Sequence, residues 1–502
     1  MKLRELLVGT DLAGVAEEGD VEIASLAYDS SRVVRGTLFF CVQGQRADGH
    51  DFAPMAVERG AAALVVERPL DLPVPQVLAP DARAAMAPIA VRFWGDPTAT
   101  LRVAGITGTN GKTTTAFLIR HVLEAQGTRT GLLGTVKSIV GGVQEEVVRT
   151  TPEAIDLQRT FRRMLDAGDT ACAMEVSSHA LAQNRTDGVR FAVAVFTNLT
   201  QDHLDFHAGM EDYFNAKRSL FVRSGEWRAP DTAVINVDDP YGARLAADLR
   251  ESGGPPLRAF SPSGATDADF RALDASFDAS GSRFRCAWPG GEVDVRTPLA
   301  GHFNVENALG AIAACDAIGV PVDEAAVVLA DAGRAPGRFE PVEGGQPFAV
   351  LVDYAHTPDS LENVLNAARL LTERRLVCVF GCGGDRDRDK RPKMGEIAAR
   401  LADRCIVTSD NPRSEDPEAI IAEILAGIPG YGNGNGRDDV AVEPDRRAAI
   451  ALALAEAEPG DTVVIAGKGH EQGQEFAGGR KIPFDDRTVA TEVLGETANR
   501  AR

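Results

Sequence analysis

A glycine-rich turn between an apolar strand and a helix is the feature that most restricts how this chain can fold. The apolar run 101–106 predicts a buried strand, and residues 115–125 carry apolar side chains at helical spacing. The turn between them, Gly108-Thr109-Asn110-Gly111-Lys112-Thr113-Thr114, offers backbone N–H groups and a helix N-terminus to anionic oxygens. Lys112 adds a positive charge, and the Thr113 hydroxyl is a ligand suited to magnesium. The sequence therefore predicts a phosphate-binding loop, which we call the nucleotide loop, that holds a nucleoside triphosphate.

The nucleotide loop departs from the standard pattern at one position. That pattern has its first glycine five residues before Gly111, where this chain has Ile106, and glycines stand at 105 and 108 instead. A glycine-rich turn with an incidental lysine is the alternative interpretation. The strand before the turn and the helix after it favour the nucleotide loop.

Length, charge and cysteine content exclude several classes of protein. The chain has 502 residues, too many for one hydrophobic core, so we expect several domains. It carries 53 Lys and Arg against 73 Asp and Glu, a net charge of −20, which disfavours nonspecific binding to nucleic acid. No apolar run is long enough to span a membrane, and residues 1–18 do not read as a signal peptide, so we expect no membrane insertion. The seven cysteines lack the paired spacing of a metal site, which favours a reduced, cytoplasmic protein.

Turn-rich boundaries and changes of pattern predict three domains of the α/β class. Residues 1–99 predict a small N-terminal α/β domain, and residues 100–336, which contain the nucleotide loop, predict a central P-loop ATPase-like domain. Residues 337–502 alternate apolar strands with helices, which predicts a C-terminal Rossmann-like domain with a parallel sheet. This last domain lacks a Gly-x-Gly-x-x-Gly turn, so it is not predicted to bind a dinucleotide. Its segment 431–437 is rich in glycine and asparagine and predicts a flexible insertion.

Polar clusters follow apolar strands in the central domain. The predicted strand 171–176 contains Glu175 and leads into a polar turn, and the predicted strand 192–196 leads into residues 197–207. A carboxylate at the end of such a strand, beside a phosphate loop, is well placed to hold magnesium. Two clusters of this kind indicate the rim of an active site, although a single His or Asp there is more often structural. Lys217 lies in an ordinary amphipathic helix, and nothing in its spacing marks it as special.

Four polar loops follow apolar strands in the C-terminal domain. In open α/β sheets, ligands bind at the edge where parallel strands end. The loops are 353–358, 381–388, 409–413 and 467–471. Their shared position predicts a second binding site at this edge.

Taken in order, these motifs resemble those of the Mur ligase family. The resemblance covers essentially the whole chain and is closest to the family members that add diaminopimelate. That family's nucleotide loop also has the form GTNGK[ST], which accounts for Ile106. The motifs are GTNGKTT at 108–114, TTPE at 150–153, MEVSSHAL at 174–181, TNLTQDHLDFH at 197–207 and YFNAK at 213–217, then GHFNVEN, PGRFE, VDYAHTPDSL, FGCGGDRD, SDNPR and AGKGHE.

The resemblance implies an ATP-dependent amide ligase of cytoplasmic peptidoglycan precursor synthesis, which serves cell-wall growth, cell shape and cell division. The D-glutamate carboxylate of UDP-N-acetylmuramoyl-L-alanyl-D-glutamate would be phosphorylated by ATP. An amine of meso-2,6-diaminopimelate would then attack the acyl phosphate. Mg2+ and Lys112 would offset the repulsion between the two anions. We expect a monomer whose central and C-terminal domains close on their ligands, because the reacting groups must meet.

The resemblance also implies roles for individual residues. Catalysis would depend on Lys112, Glu175, His203 and Lys217. Magnesium would be held by Thr113, Glu175, His203 and Lys217, the last as a carbamate. ATP would contact Gly108 to Thr114 together with Asn304, Asn307, Arg338 and Asp353. The UDP-linked substrate would contact Ser30, Gln45, Arg46, Ala47, Thr150, Thr151, Ser177, Gln183 and Arg185. The amino acid would contact Arg386, Asp410, Asn411, Pro412, Arg413, Gly467 and Glu471.

Several alternatives remain open from the sequence. The same ligation with L-lysine or ornithine is one, and a ligase like the folylpolyglutamate synthases, which lack the SDNPR pocket, is another. A nucleotide switch that regulates a partner is a third, but a switch needs no second substrate pocket. Arg413 favours diaminopimelate, because its planar guanidinium suits the carboxylate that lysine lacks. The local alternative is that Arg413 pairs with Glu415 or Asp416 at the surface.

Overall fold

Three β-sheets, one after another along the chain, organise the structure. It is a computed structural model that describes residues 1–8, 10, 12, 20–44, 47–222, 227–278, 280–431 and 437–500, the last four by their backbone only. Among these residues the three sheets have four, eleven and six strands, and a two-stranded sheet accompanies the third. The expected α/β class is confirmed. Most of the segment 431–437 lies outside the described residues, so its predicted flexibility stays a prediction.

The N-terminal domain contains a four-stranded parallel sheet with apolar residues on both faces. Its strands are β1 (Ser25–Ala27), β2 (Thr37–Phe40), β3 (Ala61–Val66) and β4 (Gln76–Leu78). Its helices are α1 (Leu3–Leu7), α2 (Ala53–Glu58) and α3 (Met86–Trp94). The strands pair in sequence order, which leaves the loops after β1 and β2 at one edge of the sheet.

The central domain contains the eleven-stranded sheet. Its strands are β5 (Arg102–Thr107), β6 (Thr130–Leu133), β7 (Ser138–Val140), β8 (Val143–Glu145), β9 (Ala171–Glu175), β10 (Phe191–Phe196), β11 (Ala233–Asn236), β12 (Leu257–Ser261), β13 (Phe270–Asp278), β14 (Gly281–Trp288) and β15 (Gly291–Thr297). Its helices are α4 (Lys112–Ala125), α5 (Ala154–Asp166), α6 (Ser178–Ala182), α7 (Met210–Arg218), α8 (Pro240–Ser252), α9 (His302–Ala317) and α10 (Val322–Val328). The strand order is β15-β14-β13-β12-β11-β10-β5-β9-β6-β7-β8. The strands from β6 to β13 are parallel in this order, and antiparallel strands extend the sheet on both sides.

The sheet order brings the predicted polar clusters next to the nucleotide loop. Strand β5, which leads into the loop, lies between β9 and β10, so Glu175 pairs with Ile106 and Phe196 pairs with Thr107 in the register. Helix α9 packs on α4 through apolar residues of one continuous core. Helices α4 and α9 are therefore held at fixed positions relative to each other.

The C-terminal domain contains a six-stranded sheet of the expected Rossmann-like kind. Its strands are β16 (Glu340–Pro341), β17 (Ala349–Asp353), β18 (Leu376–Phe380), β19 (Arg404–Val407), β20 (Val440–Val442) and β21 (Thr462–Ala466), and the small hairpin is β22 (Gly473–Phe476) with β23 (Arg480–Pro483). Its helices are α11 (Pro358–Leu371), α12 (Lys390–Leu401), α13 (Pro417–Leu425), α14 (Arg446–Glu456) and α15 (Asp486–Arg500). The order is β16-β17-β21-β18-β19-β20, and within the described strands of this sheet only the short edge strand β16 runs antiparallel. The four predicted polar loops follow β17, β18, β19 and β21 at one edge.

All seven cysteines are buried and unpaired. Burial raises the pKa of thiols such as Cys41 and Cys286 to about 12. These thiols are therefore protonated and inaccessible at neutral pH. In the described part of the chain, no helix is both long enough and apolar enough to cross a membrane.

Candidate active site

A cavity of about 520 Å³ lies where the central and C-terminal domains meet. The nucleotide loop forms one wall of this central cavity, and the ends of the C-terminal strands form the other. Its lining includes most of the predicted site residues: Thr109, Asn110, Gly111, Lys112, Thr113, Thr114, Thr150, Thr151, Glu175, Ser177, Arg185, His203, Lys217, Asn307, Arg338, Asp353 and Arg386. The structure thus gathers residues predicted for nucleotide, metal and UDP-linked substrate around one space.

Two glycines shape the nucleotide loop. Gly108 has φ +150° and Gly111 has φ +86°, both in the region that favours glycine. A Cβ atom at Gly108 would lie 1.9 Å from the Thr197 hydroxyl, and one at Gly111 would lie 2.4 Å from Asn307 Oδ1. Helix α4 begins directly afterwards at Lys112, earlier than the predicted helical stretch. The loop therefore needs glycine for its conformation and for the close approach of its neighbours.

Two lysines meet beneath the nucleotide loop without a carboxylate partner among the described residues. Lys112 Nζ donates to the carbonyl oxygens of Gly108 (2.9 Å) and Thr109 (2.7 Å), and buried Lys217 Nζ donates to Gly108 (2.8 Å). Lys217 Nζ also lies over the Tyr213 ring, 4.6 Å from its centroid. Burial lowers the pKa of Lys112, and burial together with the charge of Lys112 holds the pKa of Lys217 well below its usual value. This region is therefore suited to receive an anion.

Glu175 reaches the cavity from the end of β9, and His203 reaches it from the loop after β10, on the other side of β5. The buried Glu175 carboxylate accepts hydrogen bonds from the Thr135 N–H (2.8 Å) and hydroxyl (3.0 Å). His203 Nε2 lies 3.3 Å from Asp202 Oδ2. Burial lowers the pKa of His203 to about 3 despite the Asp202 charge. The ring is therefore neutral at neutral pH and can offer a nitrogen lone pair.

The donor types in the cavity fit a magnesium ion held partly by its own waters and by phosphate. Among the described residues, no three His, Cys, Asp or Glu side chains form a ready cluster for a metal. Magnesium in nucleotide sites commonly takes one or two carboxylates and fills its other positions with water and phosphate oxygens. The Thr113 hydroxyl and the Glu175 carboxylate, both on the cavity wall, are the hard oxygen donors that such a site requires.

The C-terminal domain contacts the nucleotide loop directly. Arg338 Nη2 donates to the Thr113 hydroxyl (3.1 Å), and Asn110 Nδ2 donates to Asp359 Oδ2 (2.6 Å). Asp353 is fixed by the N–H groups of Phe339 (2.6 Å) and Ala355 (2.7 Å). Burial raises the pKa of its carboxyl group. The two domains therefore share the wall around the predicted phosphate position.

The predicted asparagine pair lies on one helical face, as the spacing indicates. Asn307 Nδ2 donates to Asn304 Oδ1 (3.2 Å), and Asn307 Oδ1 accepts from the Thr115 hydroxyl (3.2 Å). Asn307 lines the central cavity, whereas Asn304 lines an adjoining cavity that it shares with Arg338.

The residues predicted for the UDP-linked substrate fall into two groups. Arg185 holds the first group together, because its guanidinium donates to the Thr151 carbonyl (3.1 Å) and to Gln183 Oε1 (2.6 Å). Ser30 and Ala47 belong to the N-terminal domain and do not line the central cavity. Ser30 begins a short 3-10 turn capped by Asp29, as its local sequence favours. Gln45 and Arg46 lie outside the described residues.

A buried glutamate joins the N-terminal domain to this group. Glu153 pairs with Arg83 of the N-terminal domain (2.8 Å) and with Arg149 and Arg185 of the central domain (2.5 and 3.1 Å). Nearby, the Tyr28 hydroxyl donates to an Asp156 carboxylate oxygen (2.6 Å). The three guanidinium groups share one carboxylate, which leaves positive charge at this junction. The sequence analysis gave Glu153 no role, although the TTPE motif contains it, since Arg83 and Arg185 are distant from it in sequence.

The residues predicted for the amino acid form a separate cluster at the ends of β19 and β21, which we call the amino-acid pocket. Lys468, which the sequence analysis missed, lies at its centre. Its Nζ donates to Asn411 Oδ1 (2.9 Å) and Glu471 Oε2 (3.0 Å) and lies 3.4 Å from Asp410 Oδ1. Among the predicted members, Arg386 is the one that also lines the central cavity. We use this name for the whole predicted set, in which Asp410, Asn411 and Glu471 contact Lys468 and the other members are Pro412, Arg413, Gly467 and Arg386.

Arg413 does not form the local surface pair that was the alternative to a binding role. Its Nη1 donates to the Gly384 carbonyl (2.7 Å), and its Nε lies 3.4 Å from Glu475 Oε2 of β22. Glu415 pairs instead with Arg391, at 2.8 Å. Pairing of Arg413 with Glu415 or Asp416 is therefore wrong.

Comparisons with known proteins agree across the whole chain. Three family models match, described as Mur ligase family, catalytic domain (22–92), Mur ligase middle domain (106–315) and Mur ligase, glutamate ligase domain (337–469). They confirm the expected three-domain α/β organisation, while the boundaries at 99/100 and 336/337 stay predictions.

Curated relatives match over their full length. The protein of Geobacillus kaustophilus named UDP-N-acetylmuramoyl-L-alanyl-D-glutamate–2,6-diaminopimelate ligase is 48% identical, over 99% of this chain and 100% of its own. The protein of the same name from Gloeobacter violaceus is 48% identical, over 100% and 99%. The one from Streptomyces coelicolor is 46% identical, over 97% and 96%.

Solved structures match the fold. A structure of a ligase with the same name has a TM-score of 0.69 at 32% identity, covering 99% of both chains. MurF ligase from Thermotoga maritima in complex with ADP has a TM-score of 0.64 at 19% identity, covering 95% of this chain and 98% of its own. The second match concerns the fold alone.

Proposed function

Because this chain belongs to the Mur ligase family, we propose that it joins meso-2,6-diaminopimelate to UDP-N-acetylmuramoyl-L-alanyl-D-glutamate with the hydrolysis of ATP. The observation that carries this proposal is full-length identity of 44% to 48% to relatives named for that ligation. The product is a peptidoglycan precursor. The protein acts in the cytoplasm as a monomer. Its pathway supports cell shape and cell division.

The chemistry requires an activated carboxylate. The side-chain carboxylate of D-glutamate attacks the γ-phosphate of ATP, which gives an acyl phosphate and ADP. An amine nitrogen of diaminopimelate then attacks the acyl carbon, an amide bond forms, and phosphate and a proton leave. Lys112 and the N–H groups of the nucleotide loop stabilise the charge on the transferring phosphoryl group. Asn304, Asn307, Arg338 and Asp353 hold the rest of the nucleotide.

Magnesium, when bound, neutralises phosphate charge and orients the transferring group. We assign its ligands to Thr113, Glu175, His203 and a carbamate on Lys217. The burial of Lys217 supports this assignment, since burial lowers the pKa of its amine and so favours the neutral form, which is the form that reacts with carbon dioxide. Carbamylation would place an anionic group beside Lys112.

The UDP-linked substrate spans the N-terminal and central domains in this proposal. Ser30 and the loop Gln45-Arg46-Ala47 bind its uridine diphosphate end. Its muramoyl-dipeptide end lies against Thr150, Thr151, Ser177, Gln183 and Arg185. The shared positive charge around Glu153 supports this placement, because the substrate is anionic at several positions.

The amino-acid pocket receives diaminopimelate. Asp410 and Glu471 attract an ammonium group, while Arg413 and Arg386 attract the carboxylates. Asn411, Pro412 and Gly467 shape the backbone around these groups. The pocket belongs to the C-terminal domain and the phosphates to the central domain, so the two must close together. The contacts of Arg338 with Thr113 and of Asn110 with Asp359 support such a closed arrangement.

One assay tests the proposal. Purified protein is given ATP, magnesium and UDP-N-acetylmuramoyl-L-alanyl-D-glutamate, with diaminopimelate, L-lysine or ornithine offered in turn. We expect amide product with diaminopimelate and much less with the other two, because Arg413 would be left without its carboxylate partner. Phosphate release without amide product would favour the nucleotide switch. Equal use of lysine would overturn the role given to Arg413 but not the ligase assignment.

A further inference from the structure

We propose that Arg446 is a positioning residue of the amino-acid pocket, which acts through two loops and does not touch the substrate. The proposal rests on the proposed function, since it assigns a role in binding the amino acid. Arg446 lies at the start of α14, and no motif described above contains it.

Arg446 forms a fully buried ion pair with the first residue of the last helix. Its Nε and Nη2 donate to the two carboxylate oxygens of Asp486, each at 2.7 Å, and both side chains are 0% exposed. The same guanidinium donates to two carbonyl groups, Ala466 (Nη2, 2.9 Å) and Ser409 (Nη1, 3.4 Å). Arg446 therefore binds three separate parts of the chain with one rigid group.

The two carbonyls belong to the residues that enter the pocket loops. Ser409 immediately precedes Asp410, and Ala466 immediately precedes Gly467. These loops follow β19 and β21, and β18 lies between those strands in the sheet, so no backbone ladder joins them. Arg446 joins the two loops through the carbonyl groups of Ser409 and Ala466. Lys468 joins them a second time, through the side chains of Asp410 and Glu471. The spacing of the predicted ammonium ligands Asp410 and Glu471 thus depends on Arg446.

The charges of this region also fit its proposed ligand. Arg446 and Lys468 bring two positive charges, whereas Asp410, Glu471 and Asp486 bring three negative ones. Within this group of five side chains one negative charge therefore remains for a substrate ammonium group, while Arg413 and Arg386 of the same pocket remain for its carboxylates. Burial raises the pKa of Asp410, but the charges of Lys468 and Arg446 outweigh this effect and lower the pKa below its usual value. The carboxylate is therefore ionised at neutral pH.

A second arginine–aspartate pair in the same domain provides a matched control. Arg375 Nε and Nη2 donate to Asp461 Oδ2 (3.1 and 2.6 Å), and Nη2 also donates to the Glu456 carbonyl (2.8 Å). This pair lies at the opposite ends of β18 and β21, away from the pocket loops. It shares the arginine–aspartate chemistry of the Arg446 pair but not its position, and its arginine is 40% exposed where Arg446 is fully buried.

The test compares Arg446→Lys with Arg375→Lys in the full chain. Lysine keeps the charge but cannot hold Asp486 and both carbonyls with one planar group. We expect Arg446→Lys to raise the Michaelis constant for diaminopimelate at least tenfold and to leave those for ATP and the UDP-linked substrate within twofold. Arg375→Lys should leave all three within twofold. A change confined to one substrate is not what a general loss of stability produces.

A double variant covers the case in which Arg446→Lys fails to fold. Arg446→Met with Asp486→Leu removes the pair without leaving a buried charge, an exchange that proteins often tolerate. It should show the same selective rise. An unchanged constant for diaminopimelate in a folded variant would overturn the proposal. A wild-type protein that makes no amide product would instead refute the proposed function.

Discussion

The nucleotide loop and the amino-acid pocket each contain a lysine-centred cluster, and they are built in opposite ways. Lys112 and Lys217 donate to backbone carbonyl groups, without a carboxylate partner among the described residues. Lys468, which is 0% exposed in its side chain, contacts two carboxylates and an amide. The nucleotide loop thus leaves its two lysines without an ion-pair partner among the described residues. In the amino-acid pocket, two carboxylates neutralise the single lysine.

This difference indicates what each region is prepared to bind. A buried charge without a partner is unfavourable until a ligand of opposite sign arrives. The nucleotide loop therefore favours a polyanion, even in a chain with a net charge of −20. The part of the amino-acid pocket around Lys468 favours an ammonium group, because this lysine is already neutralised by Asp410 and Glu471. The opposite charges of the two regions can thus prevent ATP from binding in the amino-acid pocket and the amine from binding at the nucleotide loop.

The largest effect is expected from Lys112→Ala. Loss of its charge should reduce phosphate release and amide formation by about a hundredfold to a thousandfold or more, since the transferring phosphoryl group loses a stabilising contact. The fold should be retained, because truncation leaves no carboxylate unpaired. Activity assays and a melting curve check both parts. Near wild-type turnover would contradict the assignment of the loop.

Lys217→Ala should also be inactive, but rescue should distinguish it. If Lys217 acts as a carbamate, acetate or another small carboxylate should restore part of the activity. Its lowered pKa favours the neutral amine, so the modification should persist to lower pH than on an exposed lysine and disappear on further acidification. Carbon-13 NMR after exposure to labelled bicarbonate measures it. An unmodified lysine in the ligand-bound enzyme, with an active alanine variant, would rule out the carbamate.

Lys468→Met should act mainly on stability. Removing one partner from a buried ion pair typically costs about 3–5 kcal/mol, because the remaining charge is left uncompensated. Asp410 and Glu471 would both lose their cation here, whereas Lys112→Ala and Lys217→Ala should cost little. Denaturant unfolding of the three variants in parallel measures this contrast. Equal losses in all three would remove the distinction between the two regions.

Arg413→Ala is expected to have the smallest effect and the most selective one. A hydrogen bond to a charged group contributes about 1.5–3 kcal/mol, so the Michaelis constant for diaminopimelate should rise about tenfold to a hundredfold. The constant for ATP should stay unchanged. Glu475→Gln is the matched control, because it removes the present partner of Arg413 and keeps the guanidinium. An equal rise for ATP would place Arg413 outside the amino-acid pocket.

Local patterns in the sequence were enough to predict the strand–turn–helix unit and the strands of the last domain. The apolar run before Gly108 becomes β5, and the shared face of Asn304 and Asn307 follows from helical spacing. The order of strands then explains why Glu175 lies beside the loop. These features depend on neighbours in sequence or on the general behaviour of parallel sheets.

Contacts between distant segments could not be predicted in the same way. Glu153 pairs with Arg83 and Arg185, which are distant from it in sequence, and Arg413 contacts Glu475 of the hairpin β22–β23. The link from Arg338 to Thr113 depends on how two sheets are placed relative to each other. No local periodicity encodes such a placement, because it is fixed by packing across domains.

Because every cysteine is buried, thiol-directed dyes should not label the native protein. A maleimide reacts with exposed thiolates, and all seven native thiols are enclosed. Val327, which is 69% exposed in the central domain, and Leu370, which is 70% exposed in the C-terminal domain, offer places for new cysteines. A chain with Val327→Cys and Leu370→Cys would carry a donor and an acceptor fluorophore at those two places alone. Energy transfer between them would then follow the separation of the two domains as each substrate is added.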